Sequence, residues 1–266
     1  MHAFKYHRAS SANDAAAAVA KNSDARYLAG GQSLVQAMKL RLSSPSDLVD
    51  LGAIKELAGI KMEGSGVTIG AMTRHAEVAG SADVKKAIPA LAALAGTIGD
   101  RQVRNMGTLG GALANSDPAA DYPAAVLGLG ATINTNKRKI AADDFFKGLF
   151  ETALQPGELI VSVTFPAAKR AAYMKFKNQA SRFAIVGVFV ADTGNGVRVG
   201  VTGAGACAFR SKELEAALTK SFTVEAAAGV KVPDKGLNTD LHASAEYRAH
   251  LVTVMAKRAV QQALGK

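Results

Sequence analysis

Two hydrophobic periods alternate along this chain, and the places where one gives way to the other mark its elements. Ser10-Ser11-Ala12-Asn13-Asp14 stands before an alanine-rich run over 15–21, with Ser11 and Asp14 in capping-box positions, so a helix is expected there. Arg26-Tyr27-Leu28-Ala29 reads as a short apolar strand. After Gly30-Gly31-Gln32-Ser33, Leu34, Met38 and Leu42 recur at i, i+4 and i+8, the spacing of one helical face, until Ser43-Ser44-Pro45 breaks it. Residues 47–51 form a strand, and 60–63 with 67–71 a hairpin around Gly64-Ser65-Gly66. Thr73 is expected to cap a short helix through Val78, and 82–95 to form one helix with Ile88, Leu91, Ala92 and Ala95 along one side. Residues 124–133 are an apolar segment, 143–148 a loop or short helix, and 158–165 a strong strand closed by Pro166.

The character changes after Pro166. Strands are expected over 172–176, 185–190 and 197–202, with Asp192-Thr193-Gly194-Asn195-Gly196 as a hairpin turn. Helices follow over 211–218 and 243–264, the last with Val252, Met255, Ala259 and Gln262 at helical spacing. A sheet followed by helices describes a small α+β domain. The main boundary falls near 165–170, and no internal repeat is evident.

At 266 residues and 48% hydrophobic content the chain can bury a real core, and 20% charged residues argue against bulk disorder. The single cysteine, Cys207, can supply neither an intrachain disulfide nor, alone, a zinc or iron–sulfur site, which fits a reducing, cytoplasmic setting. The five histidines show no ligand spacing and read as surface or hydrogen-bonded core residues, so no metal site is expected. The N-terminus leads into no apolar run, and no stretch approaches the length of a membrane-spanning helix. A formal charge of +10 first suggests nucleic acid. Yet the basic residues are dispersed, Trp is absent, and no finger, RNP or Arg-rich signature occurs; an acidic partner or an anionic cofactor uses the same charge.

Glycine clusters carry the candidate chemistry. Residues 97–117 are too glycine-rich for a packed helix and too apolar for a linker. Gly99, Gly107, Gly110 and Gly111 suit a loop whose backbone approaches an anionic or polar ligand, and the alternative is a tight buried turn. Gly30-Gly31 joins a strand to a helix start, the build of an anion cradle or of an ordinary βα turn. A third cluster, Gly203-Ala204-Gly205-Ala206-Cys207-Ala208 with Glu225 beyond it, imitates a dinucleotide fingerprint. It is set aside because Phe209-Arg210-Ser211 separate it from the following helix and too little chain remains for a doubly wound sheet.

Ala29-Gly30-Gly31-Gln32-Ser33-Leu34 resembles the first FAD-binding motif of the flavoprotein (medium) subunits of molybdenum hydroxylases, the type found in carbon monoxide dehydrogenase and xanthine dehydrogenase. Gln102-Val103-Arg104-Asn105-Met106-Gly107-Thr108-Leu109-Gly110-Gly111 resembles the second. Both stand in the expected order and spacing, and the resemblance covers essentially the whole chain.

The resemblance implies an α+β fold: a two-subdomain FAD-binding domain of the vanillyl-alcohol-oxidase (PCMH) type over 1–56 and 57–167, then a C-terminal flavoprotein domain over 168–266. It implies FAD as the cofactor and no catalytic residue beyond it. The backbone from Ala29 to Leu34 (Gly30, Gly31, Gln32 and Ser33 between them) would hold the pyrophosphate, with Thr108, Gly110, Gly111 and Ala112 as the opposite wall. Asp121 would bind a sugar or ribityl hydroxyl, Leu159 or Ile160 would pack near the adenine or flavin, Lys175 would lie near the isoalloxazine, and Phe183 would cover the ring. Gln32 stands where some members have His, which a backbone cradle tolerates; Lys177 stands two residues from Lys175. The implied role is electron relay inside a dimer of heterotrimers, beside a small [2Fe–2S] subunit and a large molybdenum-cofactor subunit. The alternative is a stand-alone FAD oxidoreductase of the same fold.

Overall fold

Strand Asp47–Asp50 lies between two parallel neighbours, Lys5–Arg8 on one side and Arg26–Leu28 on the other. Parallel pairing requires crossovers, and helices Ala12–Ala20 and Leu34–Lys39 supply them. The computed structural model describes residues 1–265. The Ser11 hydroxyl accepts from the Asp14 amide at 3.1 Å, while the Asp14 carboxylate reaches back to the Ser10 amide. The apolar face expected over 34–42 is shortened. Met38 is buried, but the helix ends at Lys39 and Arg41 turns the chain at φ 60°, leaving Leu40 and Leu42 exposed.

The second sheet is antiparallel, in the order Ile60–Glu63, Gly66–Gly70, Ile160–Phe165, Thr132–Thr135, Lys139–Ala141. Strand Ile160–Phe165 is central and buries Val163 and Phe165 against Val67, Ile69 and Ile133. Three local expectations change here. The helix over 82–95 is two helices, Ala82–Ala87 and Pro89–Gly96, because Pro89 has no N–H to continue the first and pre-sets φ for the second. Helix His75–Gly80 is capped by the Glu77 carboxylate on the Arg74 amide at 2.7 Å, not by Thr73, whose hydroxyl bridges the Gly59 amide and carbonyl instead. Residues 97–117 are not a loop: they hold helices Arg101–Met106 and Leu109–Asn115. Thr108 caps the latter, and its glycines permit a close approach that outweighs their weak helix propensity.

The third sheet, Arg170–Lys177, Ala184–Asp192, Val197–Thr202 and Phe209–Arg210, separates two cores. Successive strand side chains point to opposite faces. Ala172, Val188, Val190 and Val199 pack under helix Ala245–Ala263, while Tyr173, Phe189 and Ala191 pack into the core of the preceding domain. On that second face lies helix Tyr122–Leu129, all of whose residues are buried. In the last helix Val252, Met255 and Ala259 face inward as expected, and Gln262 is exposed. A small hairpin, Phe146–Gly148 with Glu151–Thr152, completes the strands. None of the described helices is long and apolar enough to cross a membrane.

Candidate functional site

A cavity of about 460 Å³ opens where the three sheets' loops converge. Its walls come from the turn after strand Arg26–Leu28, from helix Leu109–Asn115 and the segments beside it, and from the hairpin tip at 181–183. Fourteen of the fifteen residues singled out from the sequence line it: Ala29, Gly30, Gly31, Gln32, Ser33, Leu34, Thr108, Gly110, Gly111, Ala112, Asp121, Leu159, Ile160 and Phe183. Lys175 does not.

The first wall is a row of amides. The backbone N–H groups of residues 30–34 find no acceptor among the described residues, and Ser33 makes no side-chain cap on the helix that follows. Free amides at a turn feeding a helix start form a concave donor set for an anion. Gly31 holds a left-handed φ of 71°, and a Cβ on Gly30 would overlap the Met106 carbonyl oxygen, so the two glycine motifs touch through bare backbone.

The second wall works differently. The Leu109 amide donates to the Thr73 carbonyl at 3.0 Å, that of Gly110 to Ala71 at 2.8 Å, and that of Gly111 to the Thr108 hydroxyl at 3.2 Å. The amides of 109–111 are therefore spent inside the chain, and their contribution is shape, while the Thr108 amide has no acceptor among the described residues. A Cβ on Gly110 would meet Ala71, and one on Gly111 would sit 3.5 Å from the Ala29 Cβ on the facing wall. The Thr108 hydroxyl, accepting from Gly111, keeps its own proton to donate.

Asp121 forms a buried polar corner. The Tyr173 hydroxyl donates to its Oδ1 at 2.6 Å, and the Lys175 Nζ lies 3.0 Å from Oδ1 and 3.2 Å from Oδ2. Lys175 also donates to the Thr97 carbonyl at 3.0 Å. Burial pushes the Asp121 carboxyl up, and the Lys175 ammonium and the Tyr173 hydroxyl pull against it. Lys177, two residues on, is exposed.

At the rim, Arg104 and Arg182 both donate to the Gly99 carbonyl, at 3.2 and 3.3 Å. Arg182 takes φ 64° at the hairpin tip, next to Phe183, a residue 48% exposed. Deeper in, His75 and Tyr122 lie with ring centroids 5.3 Å apart, and the His75 Nδ1 and the Tyr122 hydroxyl are buried with no hydrogen-bond partner. Burial, with Arg104 nearby, lowers the His75 pKa to about 4, so the ring is neutral.

Comparison with known proteins assigns this architecture. The family described as FAD binding domain in molybdopterin dehydrogenase matches residues 2–168, and the CO dehydrogenase flavoprotein C-terminal domain matches 171–263. The chain belongs to this flavoprotein family. It is 37% identical to the carbon monoxide dehydrogenase medium chain of Hydrogenophaga pseudoflava, over 98% of this chain and 96% of that one. It is 33% identical to the glyceraldehyde dehydrogenase medium chain of Sulfolobus acidocaldarius, over 97% and 98%. Its fold superposes on quinoline 2-oxidoreductase from Pseudomonas putida 86 with a TM-score of 0.90 at 29% identity, covering 99% of this chain and 98% of that one. The protein is an FAD-binding medium subunit of the molybdenum hydroxylase type, and its relatives are chains of multi-subunit oxidoreductases.

The donor set of the flavoprotein fits FAD. Five free amides suit a pyrophosphate, a carboxylate with spare accepting capacity suits a hydroxyl, and Leu159, Ile160 and Phe183 offer apolar surface to flat rings. The sequence reading missed His75, Tyr122 and the arginine pair at the rim. A lone His carries no local signal of burial, and the partners of Gly99 become visible only once the hairpin folds over it.

Proposed function

We propose that the chain carries FAD as the electron-transfer subunit of a molybdenum-containing hydroxylase, receiving electrons from a small [2Fe–2S] subunit and delivering them to an external acceptor. The bound FAD supplies the redox chemistry. The chain's own residues bind and shape: the amides of 30–34 hold the pyrophosphate, the 108–112 segment forms the opposite wall, and Asp121 accepts from a sugar or ribityl hydroxyl. Leu159 and Ile160 pack on a ring, Phe183 covers the outer face, and Lys175 acts on the flavin through Asp121. The complex is a cytoplasmic dimer of heterotrimers with a large molybdenum-cofactor subunit, and the division of this chain is 1–56, 57–167 and 168–266.

The observation that supports the reading most is the row of free amides at 30–34 opening on a cavity whose far wall has no side chain at Gly110 and Gly111. With one cysteine the chain holds no iron–sulfur cluster of its own, so the relay needs partners. Purification of the tagged chain from its native cell tests this. It should bring down two further polypeptides with iron and molybdenum, and the flavin should bleach on adding the complex's substrate. A chain that purifies alone with FAD and turns over a substrate without metals is the stand-alone oxidoreductase instead.

A further inference from the structure

The Asp121 corner belongs to the FAD-binding domain, but the groups that hold it come from the C-terminal sheet. Tyr173 and Lys175 are alternate residues of strand Arg170–Lys177 and point to the same face, toward Asp121. The Tyr173 ring stacks on Phe189, its direct partner across the strands, with centroids 6.4 Å apart. Its hydroxyl then runs over the diagonal position, Gly187, where any Cβ would overlap it. Gly187 thus clears the path by which a buried phenol reaches the carboxylate at 2.6 Å.

We propose that Tyr173 is a positioning residue for the cofactor, with Gly187 as the gap that admits it: the phenol fixes the rotation of the Asp121 carboxylate. The proposal rests on the FAD reading of the cavity. A carboxylate has about four lone-pair sites. Tyr173 and Lys175 both occupy Oδ1, while Oδ2 takes only the longer contact from Lys175. Held this way, the carboxylate presents Oδ2 to a neutral donor. The recognised group is therefore a polyol hydroxyl, and an anion at this corner is repelled. Without the phenol, Lys175 alone does not distinguish the two oxygens, and the carboxylate rotates.

The test is FAD titration of the deflavinated full-length chain reconstituted with its partners, read by flavin fluorescence, in a cycle of wild type, Tyr173→Phe, Asp121→Asn and the double variant. Thermal unfolding of each apo protein is measured alongside. Tyr173→Phe keeps the ring and its stacking, and should weaken FAD binding about tenfold, while in the Asp121→Asn background it should change affinity less than about twofold. Gly187→Ala keeps the phenol but drives it off Asp121, and should reproduce the tenfold loss only where Asp121 is present, which separates it from the new Cβ's 2.9 Å contact with the Thr202 Cγ2. Unchanged affinity in either single variant overturns the proposal. So does an equal loss in both backgrounds, which places the effect of Tyr173 elsewhere, or an apo Tyr173→Phe chain that no longer folds, which makes its role structural. A wild-type chain that takes up no FAD even when reconstituted with its partners overturns the cofactor reading itself and is distinguished by failing before any variant is compared.

Discussion

Gly111 faces Ala29 across the cavity, and its own amide is held by Thr108 at 3.2 Å. A valine there adds its side chain on the ligand's side of the helix without touching a core contact, apart from the Thr108 hydroxyl 2.8 Å from the new Cβ. Gly111→Val should therefore lower flavin retention about tenfold or more while the apo chain unfolds within a few degrees of wild type. Flavin stoichiometry after gel filtration measures it, and an unchanged ratio would make the segment an ordinary turn. Lys175 is expected to behave differently from its neighbour. Its ammonium is 6% exposed and compensates a buried carboxylate, so Lys175→Met leaves a charge unpaired and should cost about 3 kcal/mol in denaturant unfolding. Lys177→Met, on the exposed end of the same strand, should stay within about 0.5 kcal/mol. Equal effects would contradict the pairing. At this scale the motifs named the cavity residues and the resemblance implied their jobs, but neither carried the contacts of Lys175. Lys175 was legible as a lysine near the site, whereas its partner lies 54 positions away in the chain and follows from packing alone.

Among the elements, strand Ile160–Phe165 is entered through Glu158, which anchors the cavity wall at Leu159. Its buried carboxylate accepts from Arg138 at 3.0 and 3.1 Å, from the Thr135 hydroxyl at 2.7 Å and from the Gln155 amide at 2.8 Å. Burial works to raise its pKa, but these donors together outweigh burial and bring it from 4.5 to about 2. A carboxylate with a depressed folded pKa contributes stability that is present above its unfolded value and lost as pH falls through the folded one. The contribution, at most about 3 kcal/mol, is thus complete above about pH 5 and declines toward pH 2. Glu158→Gln should destabilise the chain at pH 7, and the gap to wild type should narrow between pH 5 and 2.5 in denaturant melts. A gap independent of pH would remove the ionised carboxylate from the explanation. The strand itself was plain from its apolar run. Less legible were helices Arg101–Met106 and Leu109–Asn115: four glycines argue locally for a loop, and only the close contact of Gly110 with Ala71 and the Thr108 cap turn the balance. The break at Pro89 was written in the chain, but a regular apolar stripe on both sides of it imitates one continuous helix.

Across the whole molecule, the α+β character of the C-terminal part and the change near Pro166 could be read from period, since strands alternating over 172–202 follow a mixed region, while the class of the whole chain came with the motif resemblance. Which side of the third sheet would meet the preceding domain could not. Both faces of its strands are apolar, and helix Tyr122–Leu129 covers one of them only after the chain has closed on itself. That arrangement makes the cavity a joint product of both family domains, with the row of amides from one and the Asp121 supports and Phe183 from the other. The central claim is that this cavity holds FAD through non-covalent contacts. The most direct measurement is to precipitate the flavin-loaded protein, purified with its partners or reconstituted, by heat or acid and to chromatograph what is released. The expected result is a colourless pellet and a yellow supernatant that runs as FAD, in about equal amount to the chain. Flavin that stays with the pellet, a supernatant that runs as a mononucleotide, or no flavin even after reconstitution would contradict it.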